Sequence, residues 1–293
     1  MALVAQDIKL SHTIFAMPFA LLATFMAAGT TGRWPGVLQL GLIVLCMVTA
    51  RTFAMVVNRW ADGRIDARNP RTAKRAIPSG QVSASFVFTI AVASGAVFMA
   101  ATAGFWALDG DNFWPVLLSP AVLAWLALYS FTKRFTWTCH LFLGTALAIS
   151  PLAATIAIEP AAMASSPPYL LALMVTGWIA GMDVIYAMQD VANDREHGIH
   201  SMPARLGKKR ALIIGALLHI TAVTALVMLN FTSTLLGTAF MVGTGLVCIL
   251  LFAEHLLVWR TGTRHITLAF FTLNGCTSLV LGLLGIVDVV GKL

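Results

Sequence analysis

Two acidic clusters share one spacing in a chain that holds only 12 Asp and Glu among 293 residues. The first reads Asn58-Arg59-Trp60-Ala61-Asp62-Gly63-Arg64-Ile65-Asp66, and the second Tyr186-Ala187-Met188-Gln189-Asp190-Val191-Ala192-Asn193-Asp194. On a helix, residues four apart share a face about 6 Å apart along the axis. Each cluster therefore reads as an oxygen-rich stripe: an anchor, Asn58 or Tyr186, followed by two carboxylates. Carboxylates that close repel unless a cation lies between them, and Mg²⁺ is held by one or two carboxylates plus the phosphate oxygens of a substrate. Two such stripes facing each other imply a diphosphate site, with Asn58, Asp62, Asp66, Asp190 and Asp194 as metal ligands. Solvated helix ends are the bland alternative. The concentration of acids, with Asp183 as a fifth, favours function, because acids in or beside a membrane are costly to place.

Bases follow the first cluster, in Asp66-Ala-Arg-Asn-Pro-Arg71-Thr-Ala-Lys-Arg75-Ala-Ile-Pro78-Ser-Gly80. Guanidinium groups beside a carboxylate-held metal would grip the non-bridging oxygens of a diphosphate. Arg71 and Arg75 are assigned to that clamp, and Arg64 and Lys74 to topology alone. Lys133 and Arg134 form a second basic point for a phosphate or a carboxylate, and Tyr186 joins the diphosphate set. Arg51 lies seven residues before Asn58, on the same face and about 10 Å deeper. An unpaired Arg inside a span is expensive, so it needs a carboxylate: Asp183, seven residues before Asp190, or an acidic substrate. The structural Arg51–Asp183 pair is slightly preferred.

Such residues need a scaffold, and composition says which. The chain is 59% hydrophobic and 11% charged, against about 25% charged in soluble domains. It is expected to be an all-α, polytopic membrane protein. Nine apolar segments reach helix length, at about 13–31, 36–58, 82–106, 113–131, 137–158, 168–189, 210–230, 233–258 and 265–288. No cleavable leader and no separate soluble domain are expected. Residues 1–293 read as one domain with half-repeats of about 1–131 and 132–293, since Asn58, Asp62 and Asp66 recur as Tyr186, Asp190 and Asp194, each 128 residues on. With the N-terminus inside, all but three of the 19 Lys and Arg fall on that side; the exceptions are Arg33, Lys292 and Arg51. The positive-inside rule then places both acidic clusters on the cytoplasmic face, and a bacterial inner membrane is the expected location. The charge of +7 is thereby read as topology, and no nucleic-acid or protein partner is implied. Cys46, Cys139, Cys248 and Cys276 stand singly, without the spacing of a zinc site or a disulfide framework. His219 and His255 likewise lack ligand spacing and read as packing residues.

The pattern resembles the UbiA-type intramembrane prenyltransferase family: nine spans, N-x-x-x-D-x-x-x-D after the second and D-x-x-x-D after the sixth. Arg71-Thr-Ala-Lys-Arg75-Ala-Ile-Pro78-Ser-Gly80 is similar to the family's R-T-x-x-R-x-[IL]-P-x-G. Gly181-Met-Asp183-Val-Ile-Tyr186, Asp194-Arg-Glu-His-Gly198 with His200-Ser-Met-Pro203, Glu254-His255 and Ala269 to Gly275 resemble the 4-hydroxybenzoate polyprenyltransferase branch. Arg59 departs from the pattern, standing where several members carry Asp. The resemblance implies Mg²⁺-dependent transfer from a polyprenyl diphosphate to an aromatic acid for quinone biosynthesis. 4-Hydroxybenzoate leads, with another acid on a menaquinone route as the alternative. The catalytic set would be Asp62, Asp66, Asp183, Asp190 and Asp194, and Arg51, Asn58 and Arg134 would bind the acid. A transporter of an anionic substrate is the competing class; it predicts a midplane site reached from both sides.

Overall fold

The computed structural model describes residues 16–263, 266 and 274–293. Lys9, Arg264 and residues 269–273 of the last motif lie outside the described residues, as do the beginnings of the first and ninth expected spans. Every regular element among the described residues is helical. They run α1 Met17–Gly29, α2 Val37–Asp66, α3 Ala84–Asp109, α4 Trp114–Thr132, α5 Cys139–Ile158, α6 Pro167–Ala187, α7 Val191–Glu196, α8 Met202–Leu206, α9 Lys208–Thr232, α10 Thr238–Thr261 and α11 Asn274–Val290. A short 3₁₀ turn, Pro160–Ala164, precedes α6. Seven of these helices are long and apolar enough to cross a bilayer. The shorter apolar helix α1 lies within the first expected span, and α11 overlaps the ninth and continues past it to Val290. The chain is an integral, multi-pass membrane protein. Its outer faces carry bare apolar side chains such as Phe231, Phe252 and Trp259, which suit lipid.

Helix α6 is the axis of the bundle and is buried along most of its length. Its packing against α5 and α9 is the most extensive in the molecule, and small residues let the backbones meet. A Cβ on Gly144 would lie 2.5 Å from the Thr176 carbonyl oxygen, and one on Gly177 would lie 2.6 Å from that of Leu218. Neither carbonyl can yield without moving a helix. In lipid, where helix association rests on close packing, Gly177→Val is expected to cost about 3 kcal/mol or more by overpacking. A thermal melt in detergent reads this as a large fall in Tm, and an unchanged Tm would contradict the contact.

Two prolines sit inside spans, each after a serine. Pro120 and Pro151 cannot donate to the carbonyls four residues back, at Val116 and Leu147. Ser119 Oγ donates to Val116 O at 2.8 Å and Ser150 Oγ to Leu147 O at 2.7 Å. A carbonyl stripped of its partner in hydrocarbon must be satisfied locally, and the serines do this. Both line a cavity of about 570 Å³ enclosed by α1 to α6, whose other walls include Met47, Phe98, Phe105, Trp125 and Leu147. Along α5 the lining runs from Leu143 to Ala157, about 21 Å at 1.5 Å per residue. Arg51 and Tyr129 stand at the end where the acidic clusters lie.

Candidate diphosphate and acceptor site

The first stripe forms as its spacing predicts, because α2 continues to Asp66 and carries Asn58, Asp62 and Asp66 on one helix. The second does not form as one helix. α6 ends at Ala187, Asp190 becomes the N-cap residue of α7, and Asp194 lies within α7. Tighter bonds, Met188 N to Ile185 O and Asp190 N to Ala187 O, turn the chain between the two helices. The Asp190 carbonyl still accepts from Asp194 N at 2.8 Å, so the four-residue relation survives the break.

The loop after α2 brings the clusters together. Asn69 Oδ1 accepts from the Arg71 backbone N–H at 2.9 Å, and Thr72 Oγ1 ties the loop to the Asp66 carbonyl at 3.0 Å. So braced, Arg71 reaches across to Asp190 with two bonds, Nε to Oδ1 at 3.1 Å and Nη2 to Oδ2 at 2.7 Å. Its Nη1 meets the Tyr186 hydroxyl at 3.1 Å, and Asn69 Nδ2 donates to Asp190 Oδ1 at 3.2 Å. Arg75 Nη1 bonds both oxygens of Asp66 at 2.7 Å. Lys133 is paired with Asp62, and Arg134 donates to the Ala61 carbonyl. Asp194 accepts from Ser201 Oγ at 2.7 Å.

Burial makes these pairings necessary. Asp62, Asp66 and Asp194 are all buried, and a buried carboxylate without a counter-charge is strongly destabilising. Burial on its own would lower the Arg71 pKa; the hydrogen bond to Asp190 and the nearby Tyr186 and Asp190 charges outweigh it, and the pKa rises. Burial pushes Asp194 up, and the neighbouring Asp190 charge adds to the rise against the hydrogen bond from Ser201. A cation set against Asp190 and Asp194 would relieve that strain.

Among the described residues no three acidic, His or Cys side chains form a closed metal cage. The donor set nevertheless suits a hard ion. Among the described residues Asp62 Oδ1 is buried without a hydrogen-bond partner, and each of the pairs Asp62–Lys133, Asp66–Arg75 and Asp190–Arg71 joins a group suited to metal with one suited to phosphate. A divalent ion that takes only one or two carboxylates and completes its shell with phosphate oxygens needs no cage.

Arg51 is placed differently from its preferred reading. Asp183 Oδ2 lies 2.7 Å from His140 Nδ1, not against Arg51. Among the described residues no carboxylate lies within salt-bridge reach of Arg51, which instead faces the apolar cavity beside Tyr129. Counting helical rise gives depth but not azimuth, and His140 on α5 occupies the place beside Asp183. His219 and His255 are packing residues, as expected: His219 Nε2–H donates to the Trp178 carbonyl at 3.2 Å, leaving Nδ1 to accept from His255 at 3.0 Å. Asn69, His140 and Ser201 were missed at the sequence level. The positions of Asn69 within the basic motif and of Ser201 within His200-Ser-Met-Pro203 offered a signal, and His140 offered none.

Known proteins match this architecture. The model of the UbiA prenyltransferase family matches residues 16–275. A 4-hydroxybenzoate octaprenyltransferase of Photobacterium profundum is 33% identical over 207 residues, covering 70% of this chain and 67% of that protein. One from an Enterobacter species is 35% identical over 170 residues, 57% of this chain and 55% of its own length. The chain thus spans about two thirds or less of these relatives. The apo structure of a UbiA homolog from Aeropyrum pernix K1 superposes with a TM-score of 0.85 at 30% identity, covering 95% of this chain and 98% of that one. A UbiA homolog from Archaeoglobus fulgidus bound to GPP and Mg²⁺ has the same fold, with a TM-score of 0.71 at 15% identity over 98% of this chain and 99% of that one.

Proposed function

The chain belongs to the UbiA prenyltransferase family, and from that membership we propose that it joins the prenyl group of a polyprenyl diphosphate to 4-hydroxybenzoate, on the cytoplasmic side of a bacterial inner membrane, for quinone biosynthesis. The observation that carries this reading is the stacking of two layers. Facing acidic clusters interlaced with Arg71, Arg75 and Lys133 lie at the mouth of an apolar cavity of about 570 Å³. A diphosphate with a long hydrocarbon tail has those two chemistries in that order. The names of the relatives from Photobacterium and Enterobacter support the acceptor.

In this reading Asn58, Asp62, Asp66, Asp190 and Asp194 would hold Mg²⁺, whose charge would supply electrostatic stabilisation to a departing diphosphate. Arg71, Arg75, Lys133, Arg134 and Tyr186 bind the non-bridging oxygens, and fixed cations aimed at developing charge are worth most where water is scarce. The apolar walls hold the prenyl chain and keep water from the allylic cation. Arg51, Asn58 and Arg134 take the carboxylate of the aromatic acid and turn its electron-rich ring towards the prenyl carbon. Membership of an enzyme family leaves the transporter alternative without support. The acceptor is tested by giving membranes a labelled prenyl diphosphate with 4-hydroxybenzoate or with other aromatic acids. A C-prenylated 4-hydroxybenzoate is the expected product; prenylation only of a different acid would move the chain to another quinone route.

A further inference from the structure

The five acids of the site do not stand in equivalent surroundings. Asp62, Asp66 and Asp190 are each paired with Lys or Arg. Asp194 accepts from Ser201 and lies beside Asp190 in the diphosphate layer. Asp183 has neither a Lys or Arg partner nor a hydroxyl partner among the described residues. Its partner is His140, whose side chain is 3% exposed.

The protonation of that histidine follows from its two contacts. Its Nε2 lies 3.2 Å from the Met202 backbone nitrogen, and a backbone N–H can only donate, so Nε2 must be the bare acceptor nitrogen. The neutral ring then carries its proton on Nδ1 and donates it to Asp183 Oδ2 at 2.7 Å. Met202 is fixed in turn. The preceding Ser201 caps α8 through the Ala204 N–H and binds Asp194, and the His200 N–H donates to the Lys133 carbonyl at 2.8 Å. The α7–α8 segment therefore sets the tautomer that orients Asp183.

What Asp183 faces follows from Ile179 and Tyr186, which lie four residues before it and three after it on the same face of α6. Asp183 is next to Met182 and one turn from Ile179, both of which line the prenyl cavity. It also lies one turn before Tyr186, which touches Arg71 of the diphosphate clamp. It sits between the layer that binds the leaving group and the layer that binds the chain. Its side chain is 25% exposed, and Oδ1 is not engaged by any described residue.

Resting on the reaction proposed above, we infer that Asp183 is the carboxylate that takes the ring proton and that His140 is the residue that positions it. The bond between the allylic carbon and the diphosphate oxygen breaks with its electron pair on oxygen. A ring pair forms the new carbon–carbon bond. The C–H pair at that ring carbon then returns to the ring as the proton passes to Asp183 Oδ1, which later releases it to water. Arg75 and Arg71 engage both oxygens of Asp66 and of Asp190, whereas His140 engages only Oδ2 of Asp183. His140 moves no proton: it holds Oδ2 so that Oδ1 points at the substrate.

The test uses the full chain with a prenyl diphosphate and 4-hydroxybenzoate deuterated beside its hydroxyl. Wild type should show no isotope effect, because proton loss follows the slow ionisation. Asp183→Asn should lose about 10²-fold in kcat, the lower range for a general base, and gain a primary isotope effect. His140→Gln offers an amide N–H to Asp183 and an oxygen to Met202, and should keep near-wild-type kcat. His140→Leu should fall towards Asp183→Asn with KM for the prenyl diphosphate unchanged. If His140→Leu fails to fold, His140→Gln and Asp183→Asn still decide the matter. An Asp183→Asn enzyme without an isotope effect, or a folded His140→Gln enzyme that loses most of its kcat, overturns the proposal while the reaction stands. A wild type that prenylates no aromatic acid overturns both.

Discussion

Asp62→Asn is expected to leave the protein inserted and folded while removing most metal-dependent turnover. The side chain is buried and paired through Oδ2 with Lys133, and its Oδ1 has no hydrogen-bond partner among the described residues. An amide keeps the volume and one acceptor oxygen but loses the charge that a hard cation needs. A loss of about 10²–10³-fold corresponds to roughly 3–4 kcal/mol of transition-state stabilisation at 1.36 kcal/mol per decade. Asp190→Asn should behave alike, with the added release of the double bond from Arg71. Initial rates over a Mg²⁺ titration check both. A lost rate that excess metal partly restores fits a ligand role. Near-native rates in both variants would make the clusters mere helix ends.

Arg51→Ala is the second large effect, and its signature is selectivity. Asp183 is held by His140, so removing Arg51 strands no carboxylate, and the roughly 3–5 kcal/mol typical of breaking a buried pair does not apply. Thermal stability should hardly move. The KM for the aromatic acid should rise about 10- to 100-fold, the worth of a charge-assisted hydrogen bond of about 1.5–3 kcal/mol, with KM for the prenyl diphosphate unchanged. A steep fall in Tm with an unchanged acceptor KM would return Arg51 to a structural role.

Much of this was legible because lipid imposes simple rules. Segments such as 113–131 and 137–158 lie within two residues of α4 and α5 at each end, since a span must be apolar for its whole length. That the two acidic clusters belong together was legible in their shared four-residue spacing, and the loop after the first does reach Asp190 of the second. Three things were not legible. The α6–α7 break was invisible, because the i to i+4 relation of Asp190 and Asp194 persists through a cap as well as through a helix. The partner of Asp183 was misread because Arg51 and Asp183 match in depth, while facing across a bundle is a tertiary fact. Asn69 and Ser201 were missed because each acts only on a residue brought to it by folding: Asp190, 121 residues away, and Asp194 across the turn after α7.

The central claim is that carboxylates from two distant segments jointly serve one metal-assisted transfer. It is tested most directly by incubating membranes containing the protein with 4-hydroxybenzoate and a radiolabelled polyprenyl diphosphate, with and without EDTA. A C-prenylated acid that forms with Mg²⁺, vanishes in EDTA and returns with excess Mg²⁺ is the result expected from the interlaced Asp62–Lys133, Asp66–Arg75 and Asp190–Arg71 pairs. Equal product in EDTA would contradict it.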